Sequence, residues 1–114
     1  MAGPKTVLVG TVGQGIMRSG DGGESWQRAG INSGLHSDAL VRTVISHPTQ
    51  PEVIFTGTDK GLYRSEDGGQ TWQLQDNAMN DYCVWQIAID PSNPQRMFAG
   101  TGTPTPATIF RSLD

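Results

Sequence analysis

Asp59, at a turn within GTDKGLYRS, is a short carboxylate that can accept the N–H groups of its own turn. Paired carboxylates can perform glycoside hydrolysis, which needs two of them at a set separation. His36 and Asp38, in GLHSD, are candidate ligand-binding residues. A single His beside a single Asp is too common a pair to define a proton relay or a metal site, and His47, next to Pro48, belongs to the opposite side of the repeat described below. In NDYCVW, the side chains of Tyr82 and Trp85 offer an aromatic platform beside Asp81, a combination suited to a sugar or peptide in a concave mouth. The alternative for Trp85 is packing between neighbouring sheets.

The elements that would position these residues are repeated. SGDGGESW at 19–26 recurs as SEDGGQTW at 65–72, and SLD at 112–114 begins a third copy. Their serines are 46 and 47 residues apart. Between the turns, VRTVISHPTQPEVIFTGT at 41–58 aligns without a gap on VWQIAIDPSNPQRMFAGT at 84–101, while VLVGT at 7–11 matches only the end of that unit. A period of 40 to 50 residues with four short strand patterns is that of a β-propeller blade.

In the complete unit, alternation predicts strand A over Leu40 to Ser46, strand B over Val53 to Thr58, strand C over Leu62 to Ser65 and strand D over Thr71 to Gln75. Pro48 and Pro51 separate A from B, Asp59-Lys60-Gly61 turns B into C, and the repeated turn joins C to D. The next unit follows as A at 84–89, B at 96–101 and C at 108–112. The reading is therefore about two and a half blades in an all-β, partial propeller of four-stranded antiparallel blades: the first at 6–30 with strands B to D, the second at 40–76, and the third at 84–112 with strands A to C.

Within each repeated turn the residue types have a structural reading. Asp21 and Asp67 can accept N–H groups of their own turn beside Ser19 and Ser65. Gly23 and Gly69, each after another glycine, supply backbone angles that side chains resist. Trp26 and Trp72 return to pack on the hairpin. An arginine precedes the serine of each copy, at 18, 64 and 111; a residue needed once per blade is read as structural.

Composition excludes several functions. Eight basic and eleven acidic residues are scattered along the chain, so no basic stripe exists to neutralise phosphates and nucleic acid is not an expected partner. Apolar runs fall short of a membrane span, and MAGPKTVLVGT lacks the pattern of a signal peptide, so the expectation is a cytoplasmic protein without a membrane partner. GTVGQG leads into a strand rather than a helix, which removes a dinucleotide reading; no cofactor and no metal are expected. Cys83, the single cysteine, is read as a buried thiol.

With S-x-D-G-G-x-[ST]-W present twice, the second time after FTGTDKGLYR, the chain resembles the BNR/Asp-box propellers, over nearly its whole length. These include sialidases, xyloglucan-degrading endoglucanases, the luminal domain of sortilin, a photosystem II assembly factor and many bacterial proteins. The resemblance implies that the Asp box is structural and lies at the blade periphery, with ligands on the opposite face. It also places Asp59 near the position of a weak-candidate catalytic carboxylate, that of an endoglucanase motif like R-T-D-x-G-G, although the arginine is absent, Gly57 standing before Thr58. No sialidase triad can be assembled. The expected function is a non-catalytic scaffold binding a protein or carbohydrate ligand on one face; the alternative is a glycoside hydrolase-related propeller with catalytic acids partly outside this chain. Open blade edges allow self-association, and a truncated ring of six to eight blades is the expected context.

Overall fold

In the computed structural model, residues 5–75 and 77–112 are described. Among these residues, ten strands form three antiparallel sheets. The first contains β1 (Val7–Gly10), β2 (Ile16–Ser19) and β3 (Gln27–Ala29). The second contains β4 (Val41–Ser46), β5 (Ile54–Thr58), β6 (Gly61–Ser65) and β7 (Gln73–Leu74) in that order. β8 (Cys83–Ile89), β9 (Met97–Gly102) and β10 (Ile109–Ser112) make the third, with β9 in the middle. Within each sheet, every strand pairs with the next in sequence, as short turns between alternating runs require.

The fourth strand is shorter than the sequence pattern predicts, for a physical reason. Thr71 donates both its N–H and its hydroxyl to Asp67, and the N–H of Trp72 goes to the Ser33 carbonyl at 2.7 Å. Those groups are therefore committed to the turn and to the loop after β3, leaving only two residues to pair with β6.

Sheets pack face to face, and each interface is a separate apolar core. Ile16, Ala29, Leu35, Val41, Ile54 and Trp72 belong to the first interface, while Phe55, Leu62, Met79, Val84 and Ile87 belong to the second. The second sheet is thus covered on both faces, and every residue of β5 is buried. Equivalent hydrogen bonds sew consecutive sheets together: Gly15 N–H donates to the Ala39 carbonyl at 3.1 Å, and Gly61 N–H to the Tyr82 carbonyl at 2.9 Å. Both join a turn between the second and third strand positions of one sheet to the start of the innermost strand of the next.

The repeated turns have nearly superimposable bonding. Ser19 donates to Asp21 Oδ1 at 2.7 Å and Ser65 to Asp67 Oδ1 at 2.8 Å. The same carboxylate oxygens accept the N–H groups of Glu24 and Ser25, and of Gln70 and Thr71. Gly23 and Gly69 donate to the serine oxygens. Gly69 has φ +93°, and a Cβ there would lie 2.8 Å from Leu8 of the first sheet. Both indole N–H groups close on a turn carbonyl, yet Trp72 is 3% exposed and Trp26 is 40% exposed. The first sheet covers Trp72; among the described residues no neighbouring sheet covers Trp26. The third copy begins at Ser112, and its Leu113 and Asp114 fall outside the described residues.

Candidate functional site

Two connections meet on the face opposite the repeated turns: the loop from β3 to β4 and the turn from β5 to β6. The loop opens with a 3-10 turn at Ile31–Ser33, ended by Gly34 at φ 101°. Leu35 and Ala39 then bury themselves in the first interface, which holds the segment between them against the second sheet. On the turn, the Thr58 hydroxyl donates to the Gly61 carbonyl at 2.9 Å and accepts the Lys60 N–H at 3.1 Å, leaving the Asp59 carboxylate free to point at the loop.

There Asp59 Oδ1 accepts from His36 Nε2 at 2.8 Å and from the Leu40 N–H at 3.1 Å. The Asp59 N–H returns to the Leu40 carbonyl. His36 Nδ1 in turn lies 2.9 Å from the Tyr63 hydroxyl, and the two rings stack with centroids 5.7 Å apart. A carboxylate only accepts, so Nε2 must carry a proton; a neutral imidazole then accepts at Nδ1 from the tyrosine. The result is a continuous chain, Tyr63 to His36 to Asp59. Partial burial works against the charge of Asp59, but the hydrogen bonds from His36 and Leu40, with the attraction of the His36 ring whenever it is protonated, outweigh it and hold the carboxyl below its ordinary range. Burial, reinforced by the Asp59 charge and opposed by the His36 contact, raises Tyr63, which keeps its proton to donate. An ionised, doubly bonded Asp59 is suited to bracing a loop or accepting a proton, and unsuited to acting as an acid near neutrality.

His36 therefore pairs with Asp59 and not with its sequence neighbour Asp38, which is exposed at φ 58°. Tyr63 joins this site with no motif in the sequence to mark it. Its only signal is its place in the alternation of β6, and nothing local announces a partner 27 residues away.

Tyr82 and Trp85 do not combine into the expected platform. Tyr82 is half-buried with its ring 5.3 Å from Phe110, while Asp81 is exposed. Trp85 is 41% exposed rather than packed between sheets. Its indole N–H donates to the Thr103 carbonyl at 3.0 Å, and the Arg42 guanidinium lies over its ring at 3.9 Å. This pair follows from a shared irregularity. The ladder of β4 on β5 shifts register between Val41 and Thr43, and that of β8 on β9 between Val84 and Gln86. Arg42 and Trp85 are the extra residues, at the same place in consecutive repeats, and a bulge re-aims the side chain that it carries.

Two solved structures have the same arrangement of strands. One, an ancestral GH74 enzyme, matches 98% of this chain with a TM-score of 0.80 and 24% identity. The other, the GH74 enzyme of Niastella koreensis, matches 96% with a TM-score of 0.67 and 22% identity. The three sheets are blades of a β-propeller. The chain spans only 16% and 19% of the lengths of those two proteins, so the blades here correspond to a small part of each. No protein-family model and no curated protein matches the chain. Among the described residues, no three His, Cys, Asp or Glu side chains converge as for a metal ion, and no helix is long and apolar enough to cross a membrane.

Proposed function

We propose that these blades form a non-catalytic binding surface, taking a carbohydrate or protein ligand on the face that carries the β5–β6 turn. The Arg42–Trp85 pair carries this reading. Bulges at the same position of two innermost strands stack a guanidinium on an indole, both exposed, beside a loop that the Tyr63–His36–Asp59 chain holds still. The guanidinium offers hydrogen-bond donors and the uncovered part of the indole an apolar surface, a combination that suits sugars and peptides. The two repeated turns, with their shared serine, carboxylate and indole bonding, support membership of the Asp-box propellers. Binding to an array of plant and microbial glycans and to a peptide library tests the reading. Trp85→Ala and Arg42→Ala are each expected to abolish the response while far-UV circular dichroism stays unchanged; retained binding in both variants contradicts it.

A glycoside hydrolase-related role is the second reading, supported by the GH74 fold likeness and by the ionised Asp59 on that face. It predicts hydrolysis of xyloglucan that disappears in Asp59→Asn. Under the binding reading the chain releases no reducing ends from that substrate.

A further inference from the structure

Arg42 is held in place yet left without a counter-charge. Its bulge and that of Trp85 are clamped alike, each from the turn between the second and third strands of its own blade. Asp59 Oδ1 accepts the Leu40 N–H at 3.1 Å and Thr105 Oγ1 accepts the Cys83 N–H at 2.9 Å, at matching positions just before the two bulged residues. The indole is fixed further by its N–H on the Thr103 carbonyl and by the bareness of Gly102, where a Cβ would stand 3.1 Å from two ring atoms. On that ring the guanidinium rests at 3.9 Å. A guanidinium carries its N–H donors in one plane and stays charged across the working pH range, so stacking occupies its face and leaves the donors at its edge. Among the described residues no carboxylate pairs with Arg42, whereas Arg64 and Arg96 each lie beside an acid. The Asp59 carboxylate is already committed to His36 and Leu40.

We propose that the ligand of this surface is an acidic carbohydrate, one whose sugar ring carries a carboxylate: a uronate. This rests on the binding reading above and narrows it. A planar carboxylate meets the guanidinium fork through two parallel N–H···O bonds, a geometry that a hydroxyl does not match. In a uronate the carboxyl carbon is bonded directly to the pyranose ring. The C–H groups of that ring therefore come down on the uncovered part of the indole while the carboxylate reaches the guanidinium stacked on it. An acidic peptide side chain carries its carboxylate on a narrow methylene stem and leaves the indole bare, and a neutral sugar leaves the cation unpaired. Exposed Asp38 and Asp81, at matching positions in the loops that enter β4 and β8, add negative charge to the same side, which favours an isolated uronate among neutral sugars over a densely charged polymer.

The test is isothermal titration calorimetry of the 114-residue chain with glucuronoxylan and with gum arabic, whose uronates stand among neutral sugars, each beside its carboxyl-reduced form. At least one acidic form is expected to bind about tenfold more tightly than its reduced partner, the worth of one charge-assisted hydrogen-bonded pair. Added salt weakens that excess. Arg42→Gln keeps a donor without the charge and is expected to bring the two forms level, with circular dichroism unchanged because the side chain is exposed. If that variant fails to fold, the comparison of the two polymer forms on the unaltered chain decides. Equal affinity for acidic and reduced forms, an acidic preference that survives Arg42→Gln, or binding through Trp85 to neutral glycans or peptides alone each overturns the inference and leaves the binding surface standing. No binding to any glycan or peptide removes both.

Discussion

Asp67 keeps its charge in a turn that supplies several donors. Burial opposes ionisation, but the Thr71 hydroxyl and N–H, the Ser65 hydroxyl and the Gln70 N–H bring its carboxyl down to about 2. Because the folded carboxyl titrates below the ordinary 3.8, its stabilisation is complete above about pH 4 and is lost as pH falls from there through 2. Asp67→Ala is expected to cost about 1–2 kcal/mol at neutral pH, as loss of a capping side chain does, and to flatten the acid limb of a urea-midpoint profile. Asp21 is held low chiefly by the Ser25 hydroxyl, yet its turn is solvent-covered, so Asp21→Ala should shift the midpoint less. On the other face, Tyr63→Phe removes the donor to His36 and leaves Nδ1 unpaired at a part-buried site. A loss of about 1–2 kcal/mol in urea unfolding is expected, with no change in strand content.

At the scale of the element, two identical motifs differ because their neighbours differ. Trp72→Ala empties the centre of an interface and is expected to cost about 3–5 kcal/mol, whereas Trp26→Ala, at an exposed indole, should cost far less. Equal losses in chemical denaturation would show that the first blade does not cover Trp72. Gly34 has a related constraint: at φ +101° its missing Cβ would lie 2.0 Å from the Trp72 carbonyl oxygen. Gly34→Ala must therefore displace the loop that carries His36, and a thermal midpoint several degrees lower is expected. Strand positions and the repeated turns were legible in the sequence because period-two alternation, Gly pairs and turn acids are local signals. The different fates of Trp26 and Trp72 were not, since a flanking blade decides them and SGDGGESW and SEDGGQTW read alike. The same limit applies to the candidate site. Asp59 and His36 were visible as separate turn residues, but their hydrogen bond spans 23 positions and depends on how a loop is pinned by Leu35 and Ala39. Arg42 and Trp85 share a repeat position, yet their exposure comes from bulges that alternation alone does not reveal.

At the scale of the whole molecule, the described blades form a slab of 42 × 34 × 18 Å in which only the second blade is covered on both faces. Stability in such an array is a sum of blade terms and nearest-neighbour interfaces, so the middle blade should open last. It also carries Asp59, Tyr63 and Arg42, which ties the rigidity of the proposed binding face to packing on both sides of β5. Native-state amide hydrogen exchange measures this most directly. The slowest amides are expected in Ile54–Thr58 and the β6 residues paired with them, with β3 and β10 exchanging through smaller openings. Exchange in β5 as fast as in β3 would contradict a structure held together by its two blade interfaces.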